Sequence, residues 1–514
     1  MALDALPELI RNHYEVHEWK HASAILERDF PVEWQDVIDV LTEFRHHAGR
    51  SVELGVPPMA GVTAESTRAL AELVAAAMER HRVPGVAVGI WHAGEEYVAG
   101  FGVTSVEHPL PVDADTIFQI ASISKTFTAT AMMRLVERGL VDLDAPVRRY
   151  LPGFALGDDA AAARLTVRQL FQHVAGFEGD YFDDFGRGDD ALARYIASLP
   201  SIKQVTPVGE RWSYNNAAFN VAGRVMEVAA GQSFETLVRE LVLDPLGLGH
   251  TCLFPEEVLT HRFAAGHTVI DGQVIVVRPW GFARNCAPAF GLASTVRDLL
   301  QYARFHMGDG TVPGGQHLLK PETLRLMQAP AVPAGQPGQW TGIAWLIETI
   351  EGVKVFGHGG SSNGQRALLR LAPERGFALA VLTNGHFGDF VTGEILRWAL
   401  QHFLGIRQAE PEHVPVEAER LPEYTGLYRK RLSEFRIEVE AGALVLHPLK
   451  VGGVAPTTTP KAIPEPARLA FIGPDRVISV GPGQKGQRGQ FVRGPDGQVV
   501  WLHWGGRLNE RIEP

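Results

Sequence analysis

Strand-forming runs stand at both ends of a long helix-rich stretch, and this separation limits the possible folds more than any other feature of the sequence. Val86 to Trp91, turned at Gly94 into a second strand around Val98, lies near the start. Val353 to Phe356, Ala367 to Leu371 and Phe377 to Leu382 lie far downstream, short apolar runs parted by turn residues. Between them the sequence predicts helices over Ser122 to Arg138 and Asn216 to Ala230. Each ends at a glycine, Gly139 and Gly231, the residue that most easily adopts the left-handed stop. Distant segments must therefore share one sheet, flanked by helices and faced by a helical lobe. That is an α/β (α+β) architecture with a cleft between its parts.

A chain of 514 residues exceeds one hydrophobic core, so the sequence divides further. Residues 1–61 read as a helical N-terminal extension, with Ile25, Leu26, Val37, Val40, Leu41 and Phe44 near a helical period until Gly55, Pro57, Pro58 and Gly61 break it. Residues 62–405 form the main domain, opened by a helix through Leu70, Leu73, Val74 and Met78. Residues 406–420, rich in proline and charge, form a linker. Residues 421–514 alternate polar and apolar, as in Phe435-Arg436-Ile437-Glu438-Val439, and carry turns such as Asp496-Gly497, so a small antiparallel β-barrel is expected.

The net charge of −11 offers no basic footprint for a nucleic acid. No apolar run approaches the roughly 20 residues that span a bilayer, and the first thirty residues lack a secretory leader's apolar core. These features predict a cytoplasmic protein without a membrane partner. Cys252 and Cys286 are the two cysteines, expected as reduced thiols.

Ser122 and Lys125 stand three apart at a helix start, hence on one face. A serine hydroxyl attacks only when a base takes its proton, and a lysine can be that base if burial or nearby positive charge lowers its pKa. The plain alternative is a capping serine and a surface lysine. Tyr214 and Asn216 follow in the loop Arg211-Trp212-Ser213-Tyr214-Asn215-Asn216, where a phenol can pass a proton; alternatively they are a core tyrosine and a helix cap. Gly357-His358-Gly359-Gly360-Ser361 reads as strand, where glycines admit a substrate backbone and a free N–H can stabilise an oxyanion; alternatively it is a glycine bulge beside a core histidine.

In this order, Ser-x-x-Lys, Tyr-x-Asn and His-x-Gly, the residues resemble the three motifs of the penicillin-recognising serine enzymes. The likeness is to the class C beta-lactamase branch, with its D-alanyl-D-alanine carboxypeptidase, D-aminopeptidase and esterase relatives. It runs from about Val83 to Leu404 and includes Gln172-His173-Val174-Ala175-Gly176, Asp244-Pro245-Leu246-Gly247-Leu248 and Gly291-Leu292-Ala293-Ser294-Thr295. The resemblance implies a beta-lactamase/transpeptidase-like fold and a serine hydrolase that holds an ester or amide substrate as an acyl-enzyme. By position, Ser122 attacks, Lys125 and Tyr214 share base and acid duties, and Asn216 holds the lysine or the substrate amide. Ser122 and Ser361 offer oxyanion N–H groups beside His358 and Gly360. His358 stands where beta-lactamases usually carry lysine, which weakens the fixed charge for a beta-lactam carboxylate. Phe290 replaces a frequent glycine. The barrel resembles lipocalin-like domains whose loops can reach the cleft. No cofactor or metal is implied, the partner is a small-molecule or peptide substrate, and the oligomeric state stays open.

Two other motifs compete. His17-Glu18-Trp19-Lys20-His21 matches the zinc protease pattern H-E-x-x-H, with His13 on the same helix face. Gly360-Ser361-Ser362-Asn363-Gly364 matches the nucleophile elbow G-x-S-x-G, which needs a helix after it, whereas Arg366 to Leu371 reads as strand. A catalytically inactive binding or sensor protein on the same fold is the non-enzyme alternative.

Overall fold

In the computed structural model, which describes residues 63–513 apart from 453–457, 460–463 and 482–484, the distant strand segments meet in one sheet. The helical extension expected over 1–61 and its histidine motif lie outside the described residues. The sheet strands are β1 (Gly85–His92), β2 (Glu95–Gly102), β3 (Val332–Pro333), β4 (Gln339–Thr341), β5 (Leu346–Ile350), β6 (Val353–Ser362), β7 (Gln365–Ala372) and β8 (Phe377–Thr383). Their order across the sheet is β2-β1-β8-β7-β6-β5-β4-β3, antiparallel throughout. The joint between early and late segments is β1 on β8, in register from Val86 opposite Thr383 to His92 opposite Phe377.

Both faces of this joint are covered, so its strands are apolar at every position rather than at alternate ones. Val86, Val88 and Ile90 point to one side with Leu379 and Val381. There they meet Leu70 and Val74 of α1 (Ala64–His81) and Val391 and Ile395 of a C-terminal helix, Gly388–Leu404. Ala87, Ala378, Ala380 and Leu382 point to the other side with Leu299 and Leu300 of the helix Val296–Met307. Residues Ser124–Glu137 form α2, buried from Ser124 to Met133. A helix buried all round belongs in the middle of a core, and α2 lies between the sheet side and the helical lobe that contains α3 (Ala217–Ala230).

After the linker, eight strands close into a barrel: β9 (Gly426–Lys430), β10 (Ser433–Glu440), β11 (Ala443–Val451), β12 (Ala467–Gly473), β13 (Arg476–Ser479), β14 (Arg488–Arg493), β15 (Val499–Trp504) and β16 (Arg507–Glu513). β9 pairs with both β10 and β16, so no open edge remains. Tyr428, Ile437, Leu444, Leu446, Phe491 and Leu502 fill the interior. Among the described residues, no helix is long and apolar enough to cross a membrane.

Candidate active site

The expected helix over Ser122 to Arg138 begins later. Ser122 sits in the 3-10 turn Ala121–Ile123, and the α-helical part starts at Ser124. The reason is local: Ala121 has φ +45°, a left-handed conformation that no α-helix accommodates and that costs a residue with a Cβ about 1 kcal/mol or more. The bend leaves Ser122 partly exposed while Lys125, one turn on, is wholly buried.

Lys125 Nζ lies 3.2 Å from Ser122 Oγ, 2.7 Å from Asn216 Oδ1 and 2.8 Å from the Ala289 carbonyl oxygen. Two of these are fixed acceptors. A neutral amine has two N–H bonds and one lone pair, so donating to Asn216 and Ala289 leaves the lone pair facing the Ser122 hydroxyl. Burial, and then the Arg507 guanidinium, push the Lys125 pKa well below the ordinary lysine value. Its place in the first turn of α2 works the same way, because the helix dipole disfavours a cation there.

Tyr214 is buried on the other side. Its ring stacks on His173 at 4.2 Å, and Lys125 Nζ lies 4.9 Å from its centroid. Burial pushes the phenol well above its usual range, although a hydrogen bond with Ser122 and the Arg507 charge pull it back. Tyr214 is therefore a protonated donor at neutral pH. The asparagine pair divides the labour expected of one: Asn215 Oδ1 accepts from Ala218 N at 2.8 Å and so caps α3, which frees Asn216 to face Lys125.

His358 lies on β6, 2% exposed, with Nδ1 donating to the Gly359 carbonyl oxygen at 2.6 Å and Nε2 3.5 Å from the Tyr214 hydroxyl. Burial, helped by the Lys125 charge, lowers its pKa to about 3, so it brings no positive charge to the cleft. Gly360 is where β6 touches the turn that holds Ser122: a Cβ built there would stand 2.1 Å from the Ile120 carbonyl oxygen. This close approach carries the exposed Ser361 to the turn that holds Ser122. Ser362 ends β6 with a buried hydroxyl, and Asn363-Gly364 leads straight into β7. A hairpin thus follows it in place of the helix an elbow needs.

Four residues absent from the expected set complete the cluster: Asp180, Lys430, Gly506 and Arg507. Asp180, 4% exposed, accepts from Asn216 Nδ2 at 3.0 Å. It also pairs with Lys430 of β9 and, at 3.2 and 3.3 Å, with Arg507 of β16. Gly506, in the β15–β16 turn at φ +76°, accepts from Tyr214 N through its carbonyl at 2.8 Å. Arg507 lies 4.6 Å from the centre of the Tyr214 ring. Asp180 falls within a loop whose conformation no periodicity encodes, and Lys430 and Arg507 lie 250 and 327 positions from it, beyond any local signal.

Beside the cluster lies a cavity of about 430 Å³ whose walls include Gln119, Leu292, Phe254, Trp280 and Phe282. It adjoins the Ser122 turn, since Ile120 N donates to the Leu292 carbonyl oxygen at 3.1 Å. Phe290 packs edge-on against Phe182 and Phe282, buried behind that wall. On the barrel, Glu438, Glu440 and His447 bring their ligand atoms within 4.8 Å of one another. His447 Nε2 pairs with Glu440 at 2.7 Å, so the grouping is accounted for as a surface ion pair.

The Beta-lactamase family model matches residues 70–402. A second model, restriction endonuclease BglII/BglIII, matches residues 14–74, nearly all outside the described residues and a small part of the chain. The chain is 33% identical to penicillin-binding protein 4 of Amycolatopsis lactamdurans, over 66% of this chain and 90% of that one. A crystal structure of SurE with D-Leu superposes with a TM-score of 0.67 at 25% identity, covering 88% of this chain and 100% of that one. A class C beta-lactamase from Rhodobacter sphaeroides shares the fold, with a TM-score of 0.56 at 24% identity over 66% of this chain and 99% of that one.

Proposed function

Since the chain belongs to the beta-lactamase family, we propose that it hydrolyses an ester or amide carbonyl through a covalent acyl-enzyme on Ser122. The observation that carries this reading is the three-oxygen environment of Lys125 Nζ, which leaves one lone pair for one hydroxyl. Lys125 takes the Ser122 proton as Oγ attacks the carbonyl carbon. The backbone N–H groups of Ser122 and Ser361 receive the oxyanion. Tyr214, a protonated phenol, gives its proton to the leaving oxygen or nitrogen as that bond breaks, and recovers one from Lys125. Water then repeats the cycle on the ester.

His358 supports weak rather than efficient turnover of a beta-lactam, because a neutral imidazole offers a substrate carboxylate no fixed charge. The likeness to SurE with D-Leu makes D-amino-acid amides and esters the natural peptide-like substrates to try.

Steady-state assays with p-nitrophenyl acetate, a D-leucine p-nitroanilide and benzylpenicillin test the reading. Turnover is expected on one of the first two, about 10³-fold lower in Lys125→Ala and about 10²-fold lower in Tyr214→Phe, the range of general acid–base catalysis. Absence of turnover on all three, or full activity in Lys125→Ala, would overturn it.

A further inference from the structure

We infer that Asp180 is a positioning residue for the reaction, held in place by the C-terminal barrel, and that it works by fixing which way the Asn216 amide faces. This rests on the acyl-enzyme reading above.

An amide side chain has an accepting end and a donating end of nearly the same shape. Only one orientation suits a lysine base. With Asn216 Oδ1 toward Lys125 Nζ at 2.7 Å, the amine spends an N–H and keeps its lone pair for Ser122. With the amide reversed, Nδ2 would donate into that lone pair and remove the base. What holds the productive orientation is at the other end, where Asn216 Nδ2 donates 3.0 Å to Asp180 Oδ1. A carboxylate only accepts, so it can face the NH2 end and never the oxygen.

A carboxylate 4% exposed needs compensation. Asp180 receives it from Lys430 Nζ and from Arg507 Nε and Nη2, which come from the first and last strands of the barrel. The carboxylate thus serves donors from two places: Asn216 in the helical lobe, and two cations in the barrel. Burial alone would raise the Asp180 carboxyl; the two cations overcome this and keep it well below the usual range. The barrel is in this sense part of the base. A chain of contacts runs from Ser122 through Lys125, Asn216 and Asp180 to Lys430 and Arg507.

Asp180→Asn tests the idea directly, because the shape is kept while one accepting oxygen must now serve donors from three residues. The charges and titratable groups around Lys125 are Asp180, Arg507, Tyr214, His173, His358 and Cys286. Of these, Asp180 favours the ammonium form and Arg507 opposes it. In Asp180→Asn, kcat for p-nitrophenyl acetate is expected to fall about 10²-fold with KM within about twofold. The acid limb of the kcat/KM profile should move to lower pH, since the barrel cations then act on Lys125 without their counter-ion. Lys430→Met should also lower kcat but move the limb the other way, to higher pH, since a cation rather than its counter-ion is lost, and Lys430→Arg should recover at least half of wild-type kcat. A purely structural aspartate would lower the melting temperature and leave the pH profile in place.

Wild-type kcat and an unmoved limb in folded Asp180→Asn would overturn the proposal while leaving the serine reading intact. A wild type that forms no Ser122 adduct would overturn both. Where Asp180→Asn fails to fold, Asp180→Glu decides: a folded variant with kcat reduced at least tenfold supports the proposal, and one with wild-type kcat overturns it.

Discussion

At full burial and in the first turn of a helix, a lysine ammonium would lack the hydration it has in water. Lys125 has carbonyl and amide oxygens for its two N–H bonds and no carboxylate in direct contact. That environment costs the charged form more than the neutral one. The sign for activity follows: kcat/KM should rise with pH through the lysine's lowered pKa and level off well below 10.5, as a pH–rate profile with p-nitrophenyl acetate can show. Lys125→Arg should stay inactive across that range, because a guanidinium keeps its proton. An acid limb near 10, or activity in Lys125→Arg, would contradict the assignment. The spacing of Ser122, Lys125, Tyr214 and Asn216 made this half of the site legible, because two short motifs each carry neighbours within a turn. Asp180 was not legible, since its partners lie on other elements and an aspartate in a polar loop has no signature of burial.

Where elements meet in the site, β6 presses closely on the turn that holds Ser122. Gly360→Ala would force a Cβ into the Ile120 carbonyl, 2.1 Å away, and push the strand off the turn. We expect phosphonylation of Ser122 by a fluorophosphonate to slow about 10²-fold, the scale of losing one oxyanion donor, while far-UV circular dichroism stays unchanged. An unchanged rate would mean that β6 contributes no donor. The strands and the glycine-stopped helices could be read from pattern, and α1, β1 and α3 fall where the periodicity put them. The start of α2 could not, because Ala121 is left-handed although alanine has high helix propensity, and nothing in the sequence marks that backbone conformation.

For the molecule as a whole, the barrel is docked by backbone as well as by charge: the Gly506 carbonyl accepts from Tyr214 N, and Leu508 N donates to Ser213 Oγ at 3.2 Å. The sequence placed a barrel at the C-terminal end, and its likeness to lipocalin-like domains allowed a loop to reach the cleft, but nothing local marked which loop; the docking depends on a two-glycine turn, Gly505-Gly506, reaching the Tyr214 loop. The buried histidines make the folded state acid-sensitive. Burial lowers His306 and His358 to about 3, and His503 to about 4. Folded pKa values below the unfolded 6.5 mean that unfolding takes up protons, so stability falls as pH drops from about 6.5 toward 4. Each site contributes up to about 1.4 kcal/mol per pH unit. Glu227 and Asp298, whose carboxyls burial raises, oppose this in part. Urea midpoints should therefore be lower at pH 5 than at pH 7, and equal midpoints would contradict the burial of the three rings. The central claim is that Ser122 is the nucleophile, and intact-mass spectrometry after incubation with a fluorophosphonate addresses it most directly. The account predicts one phosphonyl adduct on the wild type and none on Ser122→Ala with Ser362 intact; an unmodified wild type, or an adduct that persists in Ser122→Ala, would contradict it.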